Sequence, residues 1–154
     1  MLLSKLLVLK ELTEERGDIA RSHHWAQQII NEATKEKLAE LEGDELRYAV
    51  GTLRKAYMYR AREDFETFLK AMEWDRDPSQ RFYQPRQSVL KGVVKQMQAL
   101  ADGKLDVLGV SMPPRAGKTT LGILFICWLG GRFPNKSVLS AGYSSSLVQS
   151  FYDG

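Results

Sequence analysis

Apolar residues in the first half of the chain recur at intervals of three and four positions, which is the spacing of one face of an α-helix. The longest such stripe consists of Leu46, Val50, Leu53, Tyr57, Ala61, Phe65, Phe68 and Met72. The pattern predicts that residues 1–75 are helical, with Gly51 and the region Arg60–Arg62 as the places where the stripe divides into two helices. We expect the stripe to pack within its own domain rather than to serve as a docking surface for a partner.

Residues 74–85, WDRDPSQRFYQP, contain two prolines and charges of both signs, which is typical of a connector. We therefore predict two regions, a helical N-terminal region at 1–75 and a second domain at 76–154. Pro85 suits the first turn of a new helix. That helix has an apolar face, and Gly103 ends it. The residues of the face are Val89, Leu90, Val93, Val94, Met97 and Leu100.

The apolar period changes after residue 104. The run LDVLGVS (105–111) is typical of a buried strand, MPPRAGK (112–118) of a loop, and TTLGILFICWL (119–129) of a helix that is buried on several sides. A second apolar run, SVLSAGY (137–143), predicts another strand, and a helix is expected from about Leu147. Strand, loop, helix and strand form a βαβ unit, so the predicted fold class is α/β.

The loop carries the residues with the clearest chemistry. Backbone N–H groups at a helix start bind anions, and Gly117 lets the backbone approach a phosphate without a Cβ in the way. Lys118 is suited to the β- and γ-phosphates, the Thr119 hydroxyl to Mg²⁺, and Arg115 adds a second cation. The P-loop pattern has a glycine where this chain has Met112, so the match is partial.

Cysteine and histidine contribute little to the predicted chemistry. Cys127 is the only cysteine, which excludes a disulfide within the chain. Because it lies in an apolar run, we expect it to be a small buried residue. His23 and His24 have no third ligand at helical spacing, so a solvated helix face is favoured over a metal site.

The sequence MPPRAGKTT, with WLGGRFPNKSVLSAGYSSSLVQSF after it, resembles the large terminase subunit of tailed bacteriophages, whose P-loops commonly have Pro-Pro-Arg in place of the leading glycine. The upstream segments REDFETFLKAMEW and FYQPRQSVL are also similar to that family. The resemblance implies the front part of an ASCE-type P-loop ATPase that binds ATP and Mg²⁺. The nucleotide contacts it implies are Tyr83, Gln84, Gln87, Pro114, Arg115, Ala116, Gly117, Lys118, Thr119 and Thr120. Lys118 and Arg115 would be the catalytic candidates, with Arg115 stabilising charge on the transferring phosphoryl group.

The same resemblance implies double-stranded DNA, the portal and the small terminase subunit as partners, and a homo-oligomeric ring in the bacterial host cytoplasm. The family's hydrolytic acids and nuclease domain come after the second strand, beyond what is seen here. We therefore expect this chain to bind nucleotide weakly and neither to hydrolyse ATP usefully nor to cut DNA by itself. No apolar run reaches the roughly 18–20 residues that span a bilayer, and the start of the chain does not read as a secretory signal.

Charge is distributed unevenly along the chain. Residues 1–80 contain 13 basic and 16 acidic side chains, whereas residues 81–154 contain 9 basic and 3 acidic ones. A basic second half favours an anionic ligand or partner. Two alternatives remain open: a non-enzymatic helical adaptor that docks on a partner, and another P-loop enzyme, such as a nucleic-acid-dependent helicase or a small-molecule kinase.

Overall fold

The computed structural model describes residues 2–14 and 19–139, together with Ala141, Ser145, Ser146 and Gln149. The chain divides into two compact units, Met1–Asp75 and Arg76–Gly154. The helices described in the first unit are α1 (Leu2–Glu14), α2 (Ile19–Glu32), α3 (Lys35–Ala39), α4 (Gly43–Ala61) and α5 (Phe65–Met72). Those described in the second unit are α6 (Gln87–Ala101) and α7 (Lys118–Arg132), with short 3₁₀ turns at Pro78–Gln80 and Gln84–Arg86.

The core of the first unit is built from α1, α2 and α4. Its buried residues combine large and small side chains: Leu6, Leu9, Ala26, Ile29, Ala33, Ala49, Leu53 and Ala56. The alanines let the helix backbones approach one another closely while the leucines and the isoleucine fill the space between them. At the edge, Glu32 accepts hydrogen bonds from Lys5 at 2.7 Å and from Lys37 at 2.9 Å.

The long apolar stripe packs within this unit, as predicted. Leu53, Ala61 and Phe65 are buried, and only Met72 at the end of the stripe is exposed. The stripe divides after Ala61, as expected for the region Arg60–Arg62, whereas α4 continues through Gly51 without a break. Asp64 caps the next helix, because its carboxylate accepts a hydrogen bond from the backbone N–H of Thr67 at 2.7 Å.

His23 corrects one prediction about this unit. It is buried rather than solvated, and its Nδ1 atom has no hydrogen-bond partner in the described part of the chain. Burial lowers the pKa of His23 below its ordinary value, and Arg60 and Arg62 lower it further against the opposing effect of Glu63. His24 is exposed, as predicted.

Both helices of the second unit carry buried apolar side chains. Leu90, Val94 and Met97 are buried on α6, and Leu121, Phe125 and Trp128 are buried on α7. Val89, which was predicted to belong to the apolar face of α6, is exposed. The carboxylate of Asp102, which follows α6, accepts a hydrogen bond at 2.9 Å from Arg132 in the last turn of α7. This ion pair ties the C-terminal ends of the two helices together.

The α/β prediction is wrong. The described residues contain no β-strand, and the protein is helical. Both predicted strand segments are irregular where the structure describes them, and Val107 and Leu139 are 84% and 94% exposed rather than buried. A strand exists only through hydrogen bonds to a neighbouring strand, and neither segment has one among the described residues. The remainder of 137–143 and the helix expected from Leu147 lie largely outside the described residues.

Helix α7 is also less buried than its composition predicts. Only Leu121, Phe125 and Trp128 are buried, and Cys127 is exposed rather than buried. The expected burial on several sides required a sheet against the outer face of α7, which the described structure lacks. No helix among the described residues has both the length and the apolar character needed to cross a membrane.

Candidate phosphate-binding site

The loop before α7 folds into a tight turn that ends at the first residue of the helix. The N–H of Ala116 donates to the carbonyl of Pro113 at 3.3 Å, and Arg115 and Gly117 have φ angles of 63° and 94°. The predicted change from loop to helix is confirmed and falls at Lys118, one residue earlier than expected. The turn therefore delivers the chain to a helix start with no side-chain cap on it.

The first helical hydrogen bond of α7 leaves several amides available. The N–H of Leu121 donates to the carbonyl of Gly117 at 2.9 Å. The N–H groups of Lys118, Thr119 and Thr120 precede it, so helix geometry gives them no acceptor within α7. Together with the helix dipole, these N–H groups place partial positive charge at the mouth of the loop.

Gly117 is required by the fold itself. Its φ of 94° lies in the left-handed region that favours glycine. A Cβ added there would lie 2.5 Å from Cε2 and 2.8 Å from Cζ of Phe82. The absence of a side chain at Gly117 was predicted to let a phosphate approach the backbone. In the structure the Phe82 ring makes a close approach to that backbone.

A cavity of about 560 Å³ opens beside this loop. That volume lies within the range of small-molecule sites, roughly 300–1,000 Å³. Two separate stretches of the second unit form its wall. The lining residues are Phe82, Arg86, Met112, Pro113, Pro114, Arg115, Gly117, Lys118, Thr119 and Thr120.

Among the residues that the structure describes, every charged side chain on the wall of this cavity is basic. Arg86, Arg115 and Lys118 line it, and none of the described aspartates or glutamates does. The side chains of Arg115 and Lys118 make no hydrogen bond or ion pair with any residue that the structure describes. Cations at a helix N-terminus are disfavoured by the dipole unless an anion binds between them. The electrostatics of the cavity therefore favour an anionic ligand.

The sequence-predicted adenine contacts lie elsewhere. Tyr83 is fully buried, so its ring is not available for stacking on a base. Gln84 is exposed and accepts a hydrogen bond from Arg81 at 3.0 Å, and Gln87 is half-buried. None of these three side chains lines the cavity.

Phe82 and Arg86 are the residues of the wall from outside the loop that sequence reasoning missed, and Met112 and Pro113 of the loop were also not among the predicted contacts. A signal for Phe82 was present, because Tyr83, Leu90 and Met97 are spaced by seven residues. The spacing predicts that Tyr83 belongs to the same buried stripe as Leu90 and Met97. Because Phe82 is the neighbouring residue, its side chain is then expected on a different side of the chain from this stripe.

The remaining predicted contacts divide between the cavity and its surroundings. Pro114, Thr119 and Thr120 line the cavity, whereas Ala116 is half-buried behind the turn and does not. No cluster of three or more His, Cys, Asp or Glu residues suited to a metal occurs in the described part of the chain. Thr119, which is exposed, is the residue whose hydroxyl was predicted to bind Mg²⁺. If it does, phosphate oxygens would supply further ligands to the ion.

No protein-family model matches the chain, and no curated protein or solved structure is similar to it. The resemblance to terminase large subunits therefore stays a prediction that depends on the residues of the loop and its flanks.

Proposed function

We propose that the second unit binds the phosphate chain of ATP, together with Mg²⁺, in the cavity at the start of α7. One observation carries the proposal: a cavity of about 560 Å³ whose charged lining consists of Arg86, Arg115 and Lys118. The amides at the helix start add neutral donors to these cations. This combination of donors suits a multiply charged anion better than a neutral metabolite.

Each loop residue has a role in this proposal. Lys118 provides a flexible point charge for the terminal phosphates, and Arg115 provides a planar fork that binds two phosphate oxygens at once. The Thr119 hydroxyl would supply one oxygen ligand to Mg²⁺, and the phosphates would supply others. None of the carboxylates in the described part of the chain lines the cavity, where one could orient or deprotonate water. We therefore propose nucleotide binding without hydrolysis by these residues.

The biological setting that we propose is the DNA-packaging motor of a tailed bacteriophage. Its support is the loop sequence MPPRAGKTT and the basic character of residues 81–154. In that setting, ATP bound at α7 would be hydrolysed with acidic residues that do not line this cavity, and the hydrolysis would power translocation of double-stranded DNA. The portal, the small terminase subunit and further copies of the chain in a ring would be its partners, in the cytoplasm of the bacterial host.

Two other classes of protein make different predictions for nucleotide and DNA. An adaptor has no use for nucleotide, so it would show no binding at millimolar ATP–Mg²⁺. A helicase would share the phosphate site, whereas a small-molecule kinase would bind ATP without any response to DNA. The excess of basic residues in the second half favours a nucleic-acid partner over a small metabolite.

Calorimetric titration of the chain with ATP–Mg²⁺ tests the proposal. Lys118→Ala removes a charge-assisted contact worth about 1.5–3 kcal/mol, so we expect roughly a tenfold or greater loss of affinity. Lys91→Ala is the matched control, because Lys91 is exposed on α6 and does not line the cavity. Equal affinity in the wild type and Lys118→Ala would refute the phosphate assignment, as would the absence of binding at millimolar nucleotide.

A further inference from the structure

Arg86 is a cation of the cavity wall that no sequence motif assigned to it. It ends the 3₁₀ turn Gln84–Arg86, it is exposed, and it lines the cavity, whose described lining contains no acidic residue. Its Nη1 atom donates to the carbonyl of Phe82 at 3.0 Å. Its guanidinium also lies over the ring of Phe82, 5.4 Å from the centroid.

Phe82 connects Arg86 to the loop. The same ring that carries the guanidinium meets the backbone of Gly117 so closely that a Cβ there would lie 2.5 Å away. The position of Arg86 is therefore fixed relative to the loop by contacts within the protein. Its charge is held in place before a ligand arrives, which reduces the entropy cost of binding.

Most hydrogen-bonding capacity of Arg86 remains available. A guanidinium has five N–H donors, and the donation to Phe82 is the hydrogen bond that Arg86's side chain makes among the described residues. The free donors form the planar fork that matches two oxygens of a phosphate. No ion pair joins Arg86 to a carboxylate of the described residues, and Asp77 and Asp102 are hydrogen-bonded to Ser79 and to Arg132.

The size of the cavity indicates what this third cation is for. One water molecule occupies about 30 Å³ in the liquid, so about 560 Å³ holds far more than a single phosphate group. Arg115 comes from the loop and Lys118 from the helix start, whereas Arg86 comes from the stretch before α6. Cations on two separate stretches of chain suit an extended anion that contacts both.

We infer that Arg86 is a specificity-determining residue that selects a chain of two or more phosphates, as in nucleoside di- and triphosphates or inorganic polyphosphate, over a single phosphate. The inference rests on the proposed function and adds the length of the phosphate chain as the feature recognised. Phe82 is a positioning residue, because it holds Arg86 beside the loop.

Binding of tripolyphosphate, orthophosphate, ATP and AMP to the full chain, each with Mg²⁺, tests this inference. We expect Arg86→Gln to weaken tripolyphosphate and ATP by about tenfold, the value of one charge-assisted hydrogen bond, and to leave orthophosphate and AMP unchanged. Arg86→Lys keeps the charge without the fork and should lose part of that affinity. Lys91→Gln, outside the cavity, should lose none.

The outcomes separate this inference from the proposed function. If the wild type binds neither tripolyphosphate nor ATP, both are overturned. If Lys118→Ala loses tripolyphosphate while Arg86→Gln and Arg86→Lys bind it as tightly as the wild type, only the role of Arg86 is overturned. A purely structural role would weaken all four ligands equally and lower the thermal stability, which would also overturn it. Tighter binding of ATP than of tripolyphosphate would show that the nucleoside contributes contacts of its own.

Discussion

Substitution of Gly117 by alanine isolates the contact that shapes the loop. Two penalties apply at this position. Alanine in the left-handed region costs about 1–2 kcal/mol, and the new methyl group would lie 2.5 Å from the Phe82 ring. Ordinary contact between such atoms needs roughly 1 Å more, and overpacking of this kind costs about 1–3 kcal/mol.

Two effects reduce the sum of these penalties. The clashing atoms are at the far end of the Phe82 side chain, so rotation of the ring relieves part of the clash, although the ring is held beneath Arg86. Loss of glycine freedom in the unfolded chain returns about 0.4–1 kcal/mol. We therefore expect Gly117→Ala to lower the free energy of unfolding of the second unit by about 1–3 kcal/mol.

Gly92→Ala is the matched control. Gly92 lies within α6, has no unusual φ angle, and a Cβ there meets nothing within 4 Å. An exposed glycine inside a helix costs about 0.5–1 kcal/mol relative to alanine, so this variant should raise the stability of the same unit by that amount. The pair makes opposite predictions for the same chemical change.

Urea unfolding followed by tryptophan fluorescence measures both effects. Trp128, buried on α7, is the tryptophan of the second unit, and the other two lie in the first unit. A background with Trp25→Phe and Trp74→Phe therefore reports on the second unit alone. If Gly117→Ala stays within about 0.5 kcal/mol of the wild type, the ordinary range of surface substitutions, the described packing of Phe82 on the loop is refuted.

Three further predictions concern the first unit. Asp64→Ala removes the cap on Thr67 and should destabilise the unit by about 1 kcal/mol in urea titration; an unchanged midpoint would contradict the cap. Because the pKa of His23 is lowered from 6.5, stability should fall as the pH drops through 6.5, and His23→Gln should abolish that loss while His24→Gln keeps it. The two lysines that donate to Glu32 lower its pKa from 4.5 to about 2. The stability from this carboxylate is present above pH 4.5 and is lost as the pH falls towards 2, so Glu32→Gln should flatten that part of the acid-unfolding curve.

The helices could be predicted because their periodicity is local. The stripe ending at Met72 and the apolar face of α6 are both encoded by residues three and four apart, so no distant partner is needed to recognise them. The start of α7 was found to within one residue, since Pro113, Pro114 and Gly117 restrict the backbone before it.

The strands could not be predicted by the same reasoning. The run 105–111 has the apolar character of a buried strand, but strand formation depends on hydrogen bonds to another segment, which a run of residues does not reveal. The exposure of Val107 shows the consequence. His23 was predicted to be solvated because it lacks a third metal ligand at helical spacing, and Cys127 to be buried because it lies in an apolar run. Both predictions were wrong, because burial depends on which helix face meets the core.

The candidate site was predicted in part. The loop residues Pro114, Arg115, Gly117, Lys118 and Thr119 meet at one cavity, as the spacing around the helix start indicated. The rest of the wall, Phe82 and Arg86, comes from a stretch about thirty residues earlier. There the adjacent aromatic residues Phe82 and Tyr83 have different environments, since Phe82 lines the cavity and Tyr83 is buried. Only the tertiary contact between the Phe82 ring and the loop brings that stretch to the cavity.

The most direct test of phosphate binding at the start of α7 is a ¹H–¹⁵N spectrum of the chain titrated with ATP–Mg²⁺. The amides of Lys118, Thr119 and Thr120 have no acceptor within α7, so we predict that they show the largest shift changes, saturating together with the nucleotide. In Lys118→Ala, the amides of Thr119 and Thr120 should need roughly tenfold or more nucleotide to reach the same shift changes. Saturable shifts confined to other parts of the chain, or no shifts at millimolar ATP–Mg²⁺, would contradict a phosphate site at this helix.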